Sequence, residues 1–293
     1  MVENKEYPLK VTVAIPCYNA APYIGLVIQS VLEQTYPPDE VLVVDDGSTD
    51  HSLEIIQRYP VRIIQHSENR GISDARNSAL SEANGNIIVF IDADAVADPD
   101  LLAVLLSGYD DQSVGGVGGQ GIESNILSLA DRWRYKHSSQ THGTKPRDVE
   151  FLYGLCMSFR VNVLRLVGGF HPAFRTNAED MDVCFRVRKA GFRLRYLPSA
   201  KVYHQRTDDE IKLKNTMARW YSAAYQARLR NNAHPWRLFA GTLCRLVSEP
   251  FHDLLIDHDR EMARLSFQIG LIKIISLWQT AKKSWTENRH KAI

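Results

Sequence analysis

Ile87-Ile88-Val89-Phe90-Ile91-Asp92-Ala93-Asp94 runs five apolar residues directly into two carboxylates spaced one residue apart. A continuous apolar run of this length, mostly β-branched, predicts a strand buried on both faces, as in a parallel sheet. Ligands of open α/β sheets gather outside the carboxyl ends of such strands. If the chain stays extended through the acids, Asp92 and Asp94 project to the same side. Two hard oxygen donors held this way suit a divalent cation that also grips a diphosphate. Taken alone, the pattern equally fits a strand that ends in a solvated acidic turn. The flanking sequence tips the balance.

Upstream, Val11-Thr12-Val13-Ala14-Ile15 reads as a strand stopped by Pro16-Cys17-Tyr18-Asn19. Ile24, Val27, Ile28, Val31 and Leu32 follow at helical spacing and give one apolar face for a sheet. Val41-Leu42-Val43-Val44 predicts a second strand, and it too ends in acids, Asp45-Asp46-Gly47-Ser48-Thr49-Asp50. Val61-Arg62-Ile63-Ile64 predicts a third, leading through Asn69-Arg70-Gly71 to a helix that begins near Ser73. Strands alternating with helices imply βαβ units and a parallel sheet. Asp45/Asp46 and Asp92/Asp94, on strands expected to be neighbours, predict one shared acidic rim where cation and ligand meet. Arg76, near a helix N-terminus that favours anions, is expected to hold phosphate or a base carbonyl bidentately. Its alternative is a surface arginine.

Downstream, Val114-Gly115-Gly116-Val117-Gly118-Gly119-Gln120-Gly121 is too glycine-rich for a helix and reads as an edge strand or a ligand-facing loop. Its glycines neither follow a strand nor open a helix, which excludes a dinucleotide fingerprint. Residues 125–137 read as helical, 151–159 as extended, and Gly168-Gly169-Phe170 as a turn. Glu179-Asp180-Met181-Asp182 opens a helix, and two short strand-like pieces flank Pro198. From about residue 208 the chain is mainly helical.

The 293 residues, 44% of them hydrophobic and 24% charged, suffice for one large α/β domain with an appendage. A net charge of +1 gives no global reason to expect a nucleic-acid partner. The four cysteines are scattered, with no Cys-x-x-Cys pair, so neither zinc ligation nor a disulfide framework is expected and a reducing compartment is the simplest assumption. Residues 1–10 are polar and predict no signal-peptide core. No stretch approaches the ~20 apolar residues of a membrane span. A cytoplasmic protein is the expectation.

Pro16-Cys17-Tyr18-Asn19, Val43 through Asp50, Asn69-Arg70-Gly71 with Ala75-Arg76-Asn77, Asp92-Ala93-Asp94, Gly168-Gly169-Phe170 and Glu179-Asp180-Met181-Asp182 occur in that order. As an ordered set they resemble the family 2 glycosyltransferases of GT-A fold, inverting enzymes that use nucleotide-diphosphate sugars. The resemblance covers roughly residues 10–204. It implies a Rossmann-like, mostly parallel sheet flanked by helices. The expected catalytic domain is 1–207, with a donor half of about 1–98 and an acceptor half of about 99–207, followed by a helical extension at 208–293. It also implies donor contacts at Pro16, Tyr18, Asn19, Asp45, Asp46, Arg76, Asp92, Ala93 and Asp94. Asp92, Asp94 and His204 would hold Mn2+ or Mg2+, and the cation would stabilise the departing nucleoside diphosphate. Asp180 matches the general base of an inverting transfer, with Gly154, Glu179 and Asp182 in acceptor or supporting places. The helix dipole alone favours all three acids by ~0.3–1 kcal/mol and does not choose among them. UDP-sugars are the favoured donors.

The processive relatives' Gln-x-x-Arg-Trp motif is missing: Ala218-Arg219-Trp220 lacks the glutamine. A single addition to a hydroxyl acceptor is therefore expected. Two C-terminal segments, a basic aromatic one at 212–230 and an apolar one at 265–278, suit a membrane interface, the inner face of the cell membrane. A lipid-linked saccharide in surface polysaccharide assembly would then be the acceptor. Their alternatives are packing on the catalytic domain or a homodimer contact. Two competing functions are a nucleotide-sugar-binding scaffold without turnover and a nucleotidyltransferase. The latter calls for a basic glycine-rich loop near the N-terminus, which Pro16-Cys17-Tyr18-Asn19 is not.

Overall fold

A computed structural model describes the backbone of residues 9–290 and the side chains of 9–283; most of the stretch 1–10, with its expected lack of a signal-peptide core, lies outside them. In chain order the elements begin β1 (Val11–Cys17), α1 (Ile24–Leu32), β2 (Glu40–Asp45), α2 (Ser52–Ile56), β3 (Arg62–Gln65), α3 (Ile72–Glu82) and β4 (Ile87–Ile91). There follow β5 (Ala95–Ala97), α4 (Leu101–Ser107), β6 (Val114–Glu123), α5 (Leu129–His137), β7 (Arg147–Asp148) and β8 (Cys156–Arg160). The chain continues through α6 (Val161–Leu166), α7 (Glu179–Lys189), β9 (Arg193–His204), α8 (Glu210–Arg230), α9 (Pro235–Leu255) and α10 (Arg260–His290). These elements form two compact units. One takes the residues up to 122 with 140–175 and 183–205; the other takes 123–139, 176–182 and the residues from 206 on.

The first unit is built on a sheet of order β3-β2-β1-β4-β8-β6-β9-β5, with β7 also on β9. β1, β2, β3 and β4 pair in parallel, whereas β8 with β4, β6 with β8 and β5 with β9 pair antiparallel. The apolar run at 87–91 is buried on both faces, as its composition predicts. Val13, Ile15, Val89 and Ile91 pack with Ile24, Val27 and Ile28 of α1. Ala14, Ile88 and Phe90 pack on the other side with Ala75, Ala79 and Leu80 of α3. Each of the larger side chains so buried contributes roughly 1.5–3 kcal/mol of transfer free energy.

Several expectations are corrected. β2 and β4 are not neighbours, because β1 lies between them. The chain builds outward from β1 through β2 to β3 and then returns to the other flank of β1. That reversal is a topological switch point, where open α/β sheets bind ligands. Asp92-Ala93-Asp94 is not extended: Ala95 N–H donates to Asp92 O at 3.0 Å and closes a turn. The glycine-rich segment is neither edge nor loop but the interior strand β6. Its glycines let neighbours close in, and a Cβ on Gly119 would stand 2.1 Å from Ala200 O. Gly119→Val is therefore expected to cost about 1–3 kcal/mol or more by overpacking, read as a lower thermal midpoint. The two pieces around Pro198 form one strand of twelve residues; Pro198 lends its carbonyl to Gln120 Nε2 at 2.8 Å. Within 151–159 the strand begins only at Cys156, and within 125–137 the helix begins only at Leu129.

The second unit contains α5, α8, α9 and α10, with Trp133, Leu213, Met217, Leu265 and Ile269 in its core. Ser128 and Asp131 form a capping box that starts α5. Arg134 is buried and donates to Glu123 Oε2 at 2.6 Å and to Asp208 Oδ2. Asp208 N–H donates to Asp131 Oδ1 at 2.9 Å. Burial pushes the Asp131 and Asp208 carboxyls up, but backbone donors around Asp131 and the cations Arg206, Lys212 and Arg134 around Asp208 outweigh it and hold both below their ordinary values. Carboxyls depressed in the folded state contribute stability that is complete above the unfolded pKa of about 3.9 and lost as pH falls through the folded values. The melting midpoint should hold from neutrality to about pH 5 and fall steeply below about pH 4. Among the described residues no helix is long and apolar enough to cross a membrane.

Candidate active site

The carboxyl ends of β1, β2 and β4 bring most of the expected donor residues to one edge of the sheet. β1 ends on Cys17, which is in register with Asp45 of β2. Pro16 is buried within the strand and Tyr18 is exposed just beyond it. Asn19 has φ 50°, a left-handed conformation that asparagine tolerates, and it links the two strand ends. Its Oδ1 accepts from Thr49 N–H at 2.8 Å, and its own N–H donates to Ser48 Oγ at 3.1 Å. The asparagine thus ties the loop after β1 to the loop after β2. Burial pushes the Cys17 thiol up to about 12, which removes it as a nucleophile at neutral pH.

Asp45 and Asp46 have different surroundings. Asp45 is 1% exposed; its Oδ1 accepts from Ser48 N–H at 3.3 Å, and its buried Oδ2 has no hydrogen-bond partner. Such an orphan acceptor calls for an explanation, and a ligand donor at the strand end supplies one. Asp46 instead meets the chain's own donors. His66 Nδ1 lies 2.6 Å from Asp46 Oδ1, Arg70 N–H donates to that oxygen, and Gly71 N–H donates to Oδ2 at 2.8 Å. Asp46 thereby anchors the start of α3. Gly47 makes the turn beyond it at φ 72°, where a Cβ would meet the Glu68 backbone at 2.5 Å.

Arg76 is the fifth residue of α3, near its N-terminal end, and at 1% exposure it is no surface arginine. Its guanidinium lies against the rings of Phe90 and Phe170. Nη2 donates to Asp92 Oδ1 at 2.8 Å and to Gly154 O at 3.0 Å. Gly154, expected on the acceptor side, is thus joined to Asp92 by one cation.

The turn 92–94 places Ala93 in the buried interior and brings Asp94 to His204. β5 follows the turn directly and pairs Ala95 with His204 of β9. His204 Nε2 lies 3.3 Å from Asp94 Oδ2, and Gln205 N–H donates to Asp94 O at 2.8 Å. Burial, with the charge of Asp94 added, pushes the Asp92 carboxyl up against the opposing pull of Arg76 and His204. Two carboxylates and an imidazole at a partly open turn are a donor set that fits Mn2+ or Mg2+. A tighter cluster, His252, Asp253 and Asp257, has three ligand atoms within 4.8 Å of one another. Lys136 Nζ bonds both of its carboxylates, so ion pairing accounts for it.

Glu179, Asp180 and Asp182 lie in the second unit. Glu179 and Asp182 are buried, and only Asp180 is partly open. Asp180 Oδ1 accepts from Met181 N–H at 2.7 Å. Asn231 Nδ2 donates to Asp182 Oδ1 at 3.4 Å, and Arg230 lies near the same oxygen. Ala178 turns the chain just before these acids at φ 65°, a conformation that costs a non-glycine residue energy and clusters at functional sites. The residues that sequence reading passed over are the second-rank partners His66, Asn77, Phe90 and Phe170. Asn77 Oδ1 accepts from Phe170 N–H and its Nδ2 donates to Phe170 O, both at 2.8 Å, fixing the ring under Arg76. The Ala75-Arg76-Asn77 triplet and the Gly168-Gly169-Phe170 turn are sequence signals for Asn77 and Phe170, whereas no site motif marks His66 or Phe90.

Comparison with known proteins places the chain in a family. Residues 12–168, more than half of the chain, match the family described as "Glycosyl transferase family 2". Glycosyltransferase GlyA of Streptococcus pneumoniae is 39% identical over 100 residues, which are 33% of this chain and 14% of that protein. A glucosyl-dolichyl phosphate glucuronosyltransferase of Haloferax volcanii is 25% identical over 247 residues, 78% of this chain and 79% of the relative. Among solved structures, the mannosyltransferase PcManGT from Pyrobaculum calidifontis, in complex with GDP-Man and Mn2+, superposes with a TM-score of 0.62 at 22% identity. That likeness covers 96% of this chain and 76% of the other, and it shows a shared fold.

Proposed function

Because the chain belongs to glycosyl transferase family 2, and is on that ground a glycosyltransferase using a nucleotide sugar, we propose that it moves a single sugar to a hydroxyl acceptor with inversion at the anomeric carbon. The observation that carries this reading is the convergence of Asp45, Asp92 and Asp94 at the carboxyl ends of β2 and β4, on either side of β1. In this reading 1–207 is the catalytic part, and UDP-sugars are the first donors to try.

Asp45 receives a donor hydrogen from the base or ribose at its unpartnered Oδ2, with Pro16, Tyr18 and Asn19 around the same end of β1. Asp46 acts one step back, by holding the start of α3. Asp92, Asp94 and His204 would hold Mn2+ or Mg2+, which when bound neutralises the charge building on the leaving diphosphate. Arg76 fixes the Asp92 carboxylate against Gly154. Asp180, the one partly open acid of its group, takes the proton of the acceptor hydroxyl. As it does so, the acceptor oxygen bonds to the anomeric carbon and the bond to the diphosphate oxygen breaks. The transition state is oxocarbenium-like. Glu179 and Asp182 support that turn of α7. The Haloferax relative's name refers to a dolichyl phosphate, which supports a lipid-linked saccharide as acceptor, handled at the inner face of the cell membrane during surface polysaccharide assembly.

Turnover is tested by release of nucleoside diphosphate from a panel of UDP-, GDP- and dTDP-sugars, and inversion by the anomeric configuration of the product. A retained configuration would refute the mechanism, and a folded protein with no turnover on any donor and acceptor would favour the scaffold reading. Asp45→Asn removes a charged acceptor and should weaken nucleotide binding by roughly 10- to 150-fold, the equivalent of ~1.5–3 kcal/mol.

A further inference from the structure

The second unit carries an apolar face that the proposed transfer does not use. On α9, Trp236, Phe239, Leu243, Val247, Phe251 and Leu254 recur every three or four residues, and all are exposed, Trp236 by 73% and Val247 by 65%. Such spacing puts them on one side of a helix. On α10, Phe267, Leu271, Ile275 and Trp278 form a second exposed stripe. An exposed apolar surface of this extent marks an interaction site.

The two stripes emerge on the same side. α9 and α10 run antiparallel, as three contacts show: Ser266 Oγ donates to Asp253 Oδ2, a Cβ on Gly270 would meet Leu246 at 2.5 Å, and Lys273 Nζ pairs with Glu249 Oε2 at 2.8 Å. On each helix these contact residues lie about a third of a turn from the exposed stripe, given 3.6 residues per turn. In antiparallel helices those offsets point both stripes to one common face. Trp236, early in α9, and Trp278, late in α10, therefore mark the same end of the hairpin.

Charge selects the occupant. The acids of α9, Glu249 and Asp253, face inward onto Lys273, Lys136 and Ser266. Of the exposed cations of α9, Arg237 borders the stripe, whereas Arg245 and the titratable His234 and His252 lie nearly half a turn from it. Among the described residues of α10, Arg260 and Arg264 border the stripe, Arg264 paired with Glu210 Oε1 at 2.8 Å, and Glu261 is the exposed acid. The acids of the connecting turn are paired, Asp257 with Lys136 and His252, and Asp259 with Arg132. A second copy docking through this face would set cations against cations. An anionic surface would not. Apolar stripes flanked by Arg, with tryptophans at one end, suit a helix lying in a membrane interface, and among the described residues neither helix is apolar enough to cross the bilayer.

We propose that the α9–α10 hairpin is a docking surface for an anionic lipid bilayer, lying in the headgroup plane with its stripes in the acyl boundary and Arg237 and Arg260 on lipid phosphates. The sequence pointed to 212–230 and 265–278 for this role; the exposed faces point to α9 with α10. The inference does not depend on transfer chemistry, so a liposome assay can fail while turnover succeeds, and the reverse. The full chain is mixed with vesicles of phosphatidylcholine alone and of phosphatidylcholine with phosphatidylglycerol, and bound protein is measured by flotation. Binding to the anionic vesicles, a blue shift of tryptophan emission and release as salt rises are expected. Val247→Glu with Leu271→Glu should lose at least about tenfold in affinity at an unchanged melting temperature, both side chains being exposed. Should that pair fail to fold, Arg237→Glu with Arg260→Glu carries the test and should weaken anionic binding alone. No binding by the wild-type chain, wild-type binding by either variant, or a lipid-free dimer that Val247→Glu with Leu271→Glu dissociates would overturn the proposal.

Discussion

An Asp180→Asn variant is expected to bind nucleotide like the wild type and to lose transfer by about 10²- to 10⁴-fold, the usual contribution of a general base. The substitution preserves shape, and the asparagine oxygen can still accept from Met181 N–H, which meets Asp180 Oδ1 at 2.7 Å. The helix start should therefore survive. What goes is the basic carboxylate, so kcat should fall and the pH dependence that belongs to the base should flatten. Glu179 and Asp182, buried in the same turn, have no comparable access to an acceptor. Glu179→Gln and Asp182→Asn should act through stability and acceptor affinity, with smaller losses in kcat. Near-normal turnover by Asp180→Asn would remove the base assignment and redirect attention to its neighbours.

The second large effect belongs to Arg76. Arg76→Met keeps much of the apolar contact with Phe90 and Phe170 but removes the donor shared by Asp92 Oδ1 and Gly154 O. Leaving a buried acceptor unpaired costs about 1–3 kcal/mol, and losing the guanidinium over two rings adds about 0.5–2 kcal/mol. Thermal unfolding should report a loss of this combined size. Turnover should fall by more than stability explains, because a misplacement of ~1 Å at the reacting centre can cost about 10²-fold. Arg76→Lys should rescue little, since an ammonium cannot reproduce two directed bonds from a planar fork. A variant that melts early yet turns over normally once folded would mark Arg76 as purely structural.

Where local sequence decides the structure, sequence reading serves well here. Residues 87–91 have one apolar neighbour after another, which only a doubly covered strand accommodates, and the helical spacing of Ile24, Val27, Ile28 and Val31 leaves α1 little choice. Long-range pairing is different. Nothing near β2 or β4 announces that β1 separates them, since strand order is fixed by crossovers. The glycines of β6 look loop-like by composition, yet they are there because Ala200, Phe159 and Leu152 press against them from distant segments. The turn at 92–95 depends on one backbone bond, and the short α2 has too few residues for periodicity to show. In the site, Asp45 and Asp46 are adjacent and alike in sequence. Only the placement of His66 and of the Arg70 and Gly71 amides separates a carboxylate with an unpartnered oxygen from a fully engaged one. The apolar stripe of α9 is legible by spacing but is interrupted by Arg237, Arg245 and Pro250, and its exposure is a tertiary fact.

The central claim is that nucleotide binds at the carboxyl ends of β1, β2 and β4 with a cation on Asp92 and Asp94. It is tested most directly by calorimetric titration with UDP, GDP and dTDP, each with and without Mn2+, on the wild-type chain and on Asp94→Asn. The expected result is binding of one nucleotide that weakens at least about tenfold without the metal and loses its metal dependence in the variant. A folded protein that binds none of the three, or binds one equally with and without Mn2+ and with and without the Asp94 carboxylate, would contradict it.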